Sequence, residues 1–234
     1  IHLMSTVFLI PTVLSDGITE TIPDYILTAI KQCSVFFVEN ERTTRRYLKS
    51  IWKEMVIDNY QWYPIHKAEE ATMQQFTYHI NKNDNIGIIS EAGCPCIADP
   101  GQVLVAKAQE LSITIKPLVG PSSILLALMA SGMNGQAFRF HGYLPIDGAE
   151  KKRAILQLED EAIKKNITQI FIETPYRNDA LVKDILLTCK PSTRLCIAAN
   201  LTTASESICT KKIQEWKNST PVLHKKPVIF LLGS

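Results

Sequence analysis

Apolar runs at residues 7–10, 35–38, 86–89 and 113–119 recur through the first half of the chain, separated by stretches of helical spacing such as 25–30 and 73–80. Strand-length runs alternating with helix-length segments predict βαβ units and a parallel sheet. The second half alternates again, with strands expected at 138–143, 167–172, 194–198 and 228–232 and helices near 151–165, 178–188 and 211–216. A further strand at 207–210 makes a hairpin within the stretch 199–217, so the second sheet is expected to be mixed. Gly120, Pro121, Ser122 and Ser123 read as a turn and N-cap for an apolar helix over 124–130, which stops at Ser131 and Gly132. The expected organisation is α/β, with an N-terminal α/β domain over 1–119, a C-terminal α/β domain over 120–234 and a hinge within 119–137.

A chain of 234 residues buries a sizeable core, and 46% hydrophobic with 21% charged residues is the composition of a soluble globular protein. No apolar run approaches the roughly 20 residues that span a bilayer, and the N-terminus lacks the ordered regions of a signal peptide, so a cytoplasmic location without a membrane partner is expected. Met4 reads as the natural start, with Ile1, His2 and Leu3 an added remnant. The six cysteines contain no CxxC and read as small buried hydrophobes. A net charge of +2 is too small to indicate nucleic acid, for which the local distribution of charge matters more.

In an open α/β sheet the ligand crevice lies beyond the carboxyl ends of the strands, which directs attention to residues 11–17, 39–44, 90–101, 120–123 and 173–177. The third of these reads SEAGCPCIADPG. Gly93 permits a sharp turn and close backbone approach, while Pro95 and Pro100 stiffen the segment and remove competing donors, as in a cradle of bare backbone. The same residues also serve simply to end a strand and start a helix at Gln102, with Glu91 a solvated charge and Asp99 a cap. No GxxxxGK[ST] or GxGxxG is present to hold nucleotide phosphates. Cys94 and Cys96 are too close for a usual zinc pair, no second pair completes a set, and the five histidines are scattered, so no metal is expected. The 120–123 turn offers backbone N–H groups to a carboxylate or other anion, though capping explains its serines equally well.

Five segments taken together resemble a known family: VENERTTRRYL (38–48), IISEAGCPCIADPG (88–101), PLVGPSSILLALMASGM (117–133), FRFHGYLP (138–145) and IFIETPYR (170–177). The chain resembles the tetrapyrrole-methylase superfamily of S-adenosylmethionine-dependent methyltransferases (class III), in particular the branch that 2′-O-methylates a cytidine of small-subunit ribosomal RNA. The resemblance implies two α/β domains with a cofactor cleft between them, S-adenosylmethionine as cofactor, ribosomal RNA or the small ribosomal subunit as substrate, and a homodimer. It assigns Pro11, Ser90, Glu91, Ala92, Gly93, Cys94 and Ile97 to one side of the cofactor, and Ser122, Ser123, Glu173 and Thr174 to the other. The chain departs from the ribosomal branch in IPTVLSDGITETIP, where a Gly-Asn pair is expected after the proline. It departs again at Asn40 and Glu41, and in ANLTTASE, where Ala199, Asn200 and Thr203 replace charges and Glu206 remains.

Methyl transfer is an in-line displacement that rewards alignment of donor and acceptor, and a ribose hydroxyl also needs help in losing its proton. Glu39 and Glu173 are the candidate catalytic carboxylates, with His66 a further candidate there and for substrate contact; Glu39 also reads as an acid placed at a helix dipole. Arg42, Arg45, Arg46 and Lys49 fall at i, i+3, i+4 and i+7, one face of a helix, which suits an RNA backbone or plain solvation. Arg177 joins the arginines as a candidate substrate contact, and Lys151, Lys152, Arg153, Lys211 and Lys212 extend the basic set. Tyr143, Tyr176, Trp52 and Trp62 are candidates for stacking on a base, against the alternative of core packing. Two other functions fit: a methyltransferase acting on a tetrapyrrole or other small molecule, and a cofactor-binding regulatory protein with impaired catalysis.

Overall fold

The computed structural model describes residues 5–65 and 69–234 and places two five-stranded sheets in two units, Ile1–Ser122 and Ser123–Ser234. The first unit runs β1 (Thr6–Ile10), α1 (Tyr25–Ile30), β2 (Val35–Val38), α2 (Glu41–Ile51), β3 (Gln61–Pro64), α3 (Glu69–Asn81), β4 (Ile86–Ile89), α4 (Gln102–Glu110) and β5 (Thr114–Pro117). Its strands are all parallel, in the order β3-β2-β4-β1-β5.

Every residue of β2 and β4 is buried, because helices cover both faces of the sheet. Alternation along the strands sorts their side chains between two clusters. Phe8, Ile10, Phe36, Val38 and Ile89 pack with Ile26, Ile30, Tyr47 and Leu48 of α1 and α2. Val7, Val35, Phe37, Ile86 and Ile88 pack with Phe76, Ile80, Leu104 and Ala108 of α3 and α4. Right-handed crossovers explain this sorting, since connections running in opposite directions along the sheet must lie on opposite faces. The loop leaving β4 therefore departs toward α4, while the loops leaving its neighbours β1 and β2 depart toward α1 and α2. A crevice opens at their carboxyl ends, where such folds bind ligands.

The edges differ from the sequence expectation. No strand was expected at β3, which is short, polar at Gln61 and ends in a proline that an edge strand tolerates. What holds β3 is tertiary: Trp62 stacks on Phe36 with centroids 4.9 Å apart, and Tyr63 stacks on Phe37 at 5.1 Å. Buried His79 adds a tie, with Nδ1 2.7 Å from Asp84 Oδ2 and Nε2 3.2 Å from the Tyr63 hydroxyl. At the other edge β5 is shorter than the expected 113–119, and its residues are half-buried or exposed.

The second unit runs α5 (Ser123–Ser131), β6 (Phe138–Tyr143), α6 (Gly148–Lys165), β7 (Thr168–Ile172), α7 (Asn178–Thr188), β8 (Arg194–Ala199), β9 (Ser207–Lys212), α8 (Ile213–Trp216) and β10 (Val228–Gly233). Its sheet is mixed, in the order β6-β7-β10-β8-β9, with only β6 and β7 parallel. Helices α6, α7 and α8 bury Ile155, Leu158, Val182, Ile185 and Trp216 against Phe171, Ile197 and Phe230. The helix expected over 211–216 is a correction: β9 pairs with β8 as far as Arg194 opposite Lys212, and the helix starts only at Ile213. Among the described residues no helix is long and apolar enough to cross a membrane.

Gly87 sits at the centre of the first sheet, where a side-chain carbon would lie 2.6 Å from Phe36 Cδ1 and 2.8 Å from Ile10 Cδ1. Gly87→Ala is expected to lower stability by about 1–3 kcal/mol, as overpacked cores do, with a lower urea midpoint and an unchanged slope. An unshifted midpoint would show that the core relaxes freely around the new methyl.

Candidate functional site

Three loops converge at the carboxyl edge of the first sheet. Thr12, after β1, and Gly93, after β4, exchange two backbone hydrogen bonds, Thr12 N–H to the Gly93 carbonyl (2.9 Å) and Gly93 N–H to the Thr12 carbonyl (3.2 Å). The Thr12 hydroxyl donates to the Ser90 carbonyl at 3.3 Å. The loop after β5 closes on the same place: a side chain at Gly120 would overlap the Pro11 ring, and Cys94 Sγ reaches the Pro121 carbonyl at 3.5 Å. Two tyrosines brace this assembly from below, Tyr47 donating to the Pro11 carbonyl (2.9 Å) and Tyr25 accepting from Val119 N–H (2.7 Å). Burial pushes the Tyr47 phenol up, well beyond its ordinary range.

The segment 90–101 is tightly wound. Gly93 has φ +75°, a conformation open to glycine, and Cys96 (φ +68°) and Ala98 (φ +64°) are left-handed despite carrying side chains. Such residues cost of order 1–3 kcal/mol each and persist only where the surroundings hold them. The bracing on the far side is Glu39, at the end of β2, whose Oε2 accepts the Glu91 N–H at 2.8 Å. The side-chain cap of α2 is the next residue, Asn40, whose side chain accepts from the N–H groups of Arg42 (3.1 Å) and Thr43 (3.3 Å).

Glu39, Glu91 and Asp99 make the loop acidic. Burial lifts the Asp99 carboxyl, and the Glu39 and Glu91 charges lift it further, to about 6, while the nearby Ser90 hydroxyl pulls the other way. The buried Ser90 hydroxyl makes no hydrogen bond of ordinary geometry. Burial, with the Asp99 charge adding to it, raises the Cys96 thiol to about 11, and burial raises that of Cys94, so neither is a ready nucleophile. Among the described residues no three His, Cys, Asp or Glu side chains are grouped to hold a metal.

Of the residues expected to contact a cofactor, Pro11, Ser90 and Gly93 are buried, Cys94 is half-buried, and Glu91, Ala92 and Ile97 are exposed, all on this edge. Ser122 ends the first unit and Ser123 opens α5 in the second. The basic face of α2 is partly committed to structure. Arg45 pairs with Glu41 and lies over the Trp62 ring, 5.2 Å from its centroid, and Lys49 donates to the carbonyls of Lys53 and Met55. Arg42 and Arg46 remain exposed, Arg46 standing 4.0 Å from Asp16. Trp62 is packed on Phe36 and Trp52 lies against Tyr60 and Lys31, which makes both structural aromatics. His66 lies outside the described residues.

Glu173, Thr174 and Arg177 meet at the carboxyl end of β7 in the second unit. The buried Glu173 carboxylate accepts, through Oε1, Arg177 Nη2 (2.7 Å), Arg177 Nε (3.1 Å) and Thr174 N–H (2.7 Å). Arg177 Nε also reaches the Thr174 hydroxyl at 3.2 Å. These charges lock the turn ahead of α7, with all three bonds gathered on one oxygen of Glu173. The uncharged segment 199–205 closes on itself and on Glu206: Thr202 N–H donates to Glu206 (2.7 Å) and the Thr203 hydroxyl to the Asn200 carbonyl (2.9 Å). Sequence reasoning named Asp99 without placing it in the site and passed over Thr12 and Tyr47. Their only local signals were a loop position and an apolar helix face.

An Asp99 pKa raised from 3.8 to about 6 means that the folded chain holds a proton the unfolded chain releases, so its ionisation costs stability as pH climbs through that interval. Asp99→Asn is expected to raise the thermal midpoint, with a gain that grows from about pH 4 to about pH 6 and then levels. A gain independent of pH would contradict this account.

Residues 23–217 match the sequence profile of the Tetrapyrrole (Corrin/Porphyrin) Methylases. The chain is 27% identical over 212 residues to the ribosomal RNA small subunit methyltransferase I of Micromonospora olivasterospora, covering 90% of this chain and 64% of that protein. It is 36% identical over 166 residues to the protein of the same name from Buchnera aphidicola subsp. Schizaphis graminum, covering 68% and 56%. The chain thus spans less than two thirds of either relative. Among solved structures it resembles the methyltransferase CobJ, with TM-score 0.63 and 15% identity over 99% of this chain and 94% of that one. It also resembles a uroporphyrin-III C-methyltransferase from Thermus thermophilus complexed with S-adenyl homocysteine, with TM-score 0.57 and 14% identity over 98% and 97%. A match over most of the chain, joined to the same fold, places this protein in the tetrapyrrole (corrin/porphyrin) methylase family.

Proposed function

We propose that this chain carries an S-adenosylmethionine-dependent methyltransferase that 2′-O-methylates a nucleotide of small-subunit ribosomal RNA, working as a cytoplasmic homodimer. The observation that carries the reading is the crevice at β1 and β4, where main-chain groups of three loops are drawn together by the Thr12–Gly93 bridge and edged by carboxylates. Relatives named as ribosomal RNA methyltransferases support the RNA substrate, and a similar fold complexed with S-adenyl homocysteine supports the cofactor.

The residues present fit such a cofactor. A side-chain carbon at Gly93 would lie 3.1 Å from Leu14 and 3.2 Å from the Pro121 carbonyl, so glycine lets the loops after β1, β4 and β5 close on one another as a main-chain wall. The buried Ser90 hydroxyl stands beside the Asp99 carboxyl and favours its charged form. When bound, S-adenosylmethionine supplies an electrophilic methyl carbon on a positively charged sulfur. The chain's part is to orient and to complement charge. Pro11, Gly93 and Cys94 set the main-chain walls, and Glu39 and Glu173 hold their loops as positioning carboxylates. Asp99, Glu39 and Glu91 favour a cationic nucleoside over a phosphate. Alignment alone supplies a large share of the acceleration in a displacement of this kind. Arg42 and Arg46 are the exposed cations of α2 offered to an RNA backbone.

Asp99 sets the pH dependence. Calorimetric titration with S-adenosylmethionine is expected to show affinity rising about 2- to 5-fold as pH passes from 5 to 7 and Asp99 ionises, the size expected of a half-exposed charge pair. Asp99→Asn removes that rise, and a rise that survives the substitution assigns the dependence to another group. Substrate identity is tested by incubating the protein with radiolabelled methyl donor and extract from a strain lacking it. Label is expected in small-subunit ribosomal RNA and, after alkaline hydrolysis, in a resistant dinucleotide, because a 2′-O-methyl removes the hydroxyl that attacks the adjoining phosphate. Label confined to porphyrins, or none above background, overturns the reading.

A further inference from the structure

In the second unit the turn 173–177 and the loop 222–226 form one rigid rim. Lys225 N–H donates to the Pro175 carbonyl (2.9 Å), and Leu223 N–H to Asp179 Oδ1 (2.7 Å). Buried Asn178 donates through Nδ2 to the carbonyls of Lys226 (2.8 Å) and Leu223 (3.5 Å). The Glu173–Arg177 pair fixes the remaining side. On this braced backbone two rings stand in solvent. Tyr176 is 70% exposed and meets exposed His224 edge to face, with centroids 5.7 Å apart and planes at 72°.

Such a pair adds nothing to the core, which lies beneath with Leu223, and its preorganised loops leave little ordering entropy to lose on binding. Lys225 and Lys226 follow His224 directly; Glu173 is opposed by Arg177, and Asp179, bound to Leu223 N–H, offsets one lysine, so the rim keeps a net positive charge. A π-face beside cations is the chemistry that receives an unstacked base and its flanking phosphates. A duplex keeps its bases inside and offers this rim only phosphate.

We propose that Tyr176, with His224 at its edge, is a stacking platform for an unpaired nucleobase, and that Lys225 and Lys226 receive the adjoining phosphates. The proposal rests on the RNA substrate proposed above and adds where, and in what form, the strand is gripped.

The test uses single-stranded oligoribonucleotides of mixed sequence carrying 2-aminopurine, whose fluorescence is quenched on stacking, with an RNA duplex for comparison. Wild-type protein is expected to bind the single strand and quench the probe. Tyr176→Ala and His224→Ala together are expected to weaken that binding about 5- to 100-fold and abolish quenching, with little effect on the duplex and an unchanged thermal midpoint. Tyr176→Trp restores both. Single-strand affinity and quenching that survive the double substitution overturn the stacking platform while leaving the RNA reading intact. Failure of wild-type protein to bind any RNA overturns both.

Discussion

Two hydrogen bonds between Thr12 and Gly93 hold the candidate site together. They join loops that the crossover rule sends to opposite faces of the first sheet, and so turn a divergence into a walled crevice. The other contacts of the edge build on that bridge. Gly120 comes in against Pro11, Cys94 reaches the Pro121 carbonyl, and Glu39 holds Glu91 from β2. Each brings main-chain groups, which cannot change rotamer, to the surface a ligand would meet.

Stability is given up in the same place. Left-handed Cys96 and Ala98, and a carboxyl at Asp99 that burial and neighbouring acids push toward neutrality, are costs a fold avoids elsewhere. They make sense where they draw backbone into a tight cradle and, on the proposed reading, ring it with carboxylates suited to a cationic ligand. Function tolerates such local penalties because the central strands, buried on both faces, carry the stability of the unit.

The second unit treats its charges differently. Glu173 and Arg177 neutralise each other inside a turn, and the uncharged segment 199–205 closes on Asn200, Thr203 and Glu206. Freed of a positioning task, the exposed groups of the rim, Tyr176 and the cations after His224, face solvent on a backbone that hydrogen bonds already immobilise. Arg45 and Lys49 show the converse in the first unit: residues that look like a basic surface in sequence are spent on Trp62 and on carbonyls of the loop after α2.

Much of this was legible in one dimension. The buried strands β2 and β4 and the helices α1 and α7 fall at their expected residues, because burial on two faces writes itself as a continuous apolar run and burial on one writes itself as a helical period. The loop 90–101 announced itself through glycine and proline, whose backbone limits are intrinsic. Strand β3 was not legible, since its attachment is the stacking of Trp62 and Tyr63 on rings of β2, and neither was the strand character of residues 211–212, which depends on pairing with β8. The roles of Thr12, Glu39 and Asp99 were decided only by strand order: residues 52 or more positions apart meet because β4 lies between β1 and β2. Local spacing fixes which residues are buried and where the chain turns, whereas hydrogen-bond partners and proton affinities follow from which distant loops the sheet brings side by side.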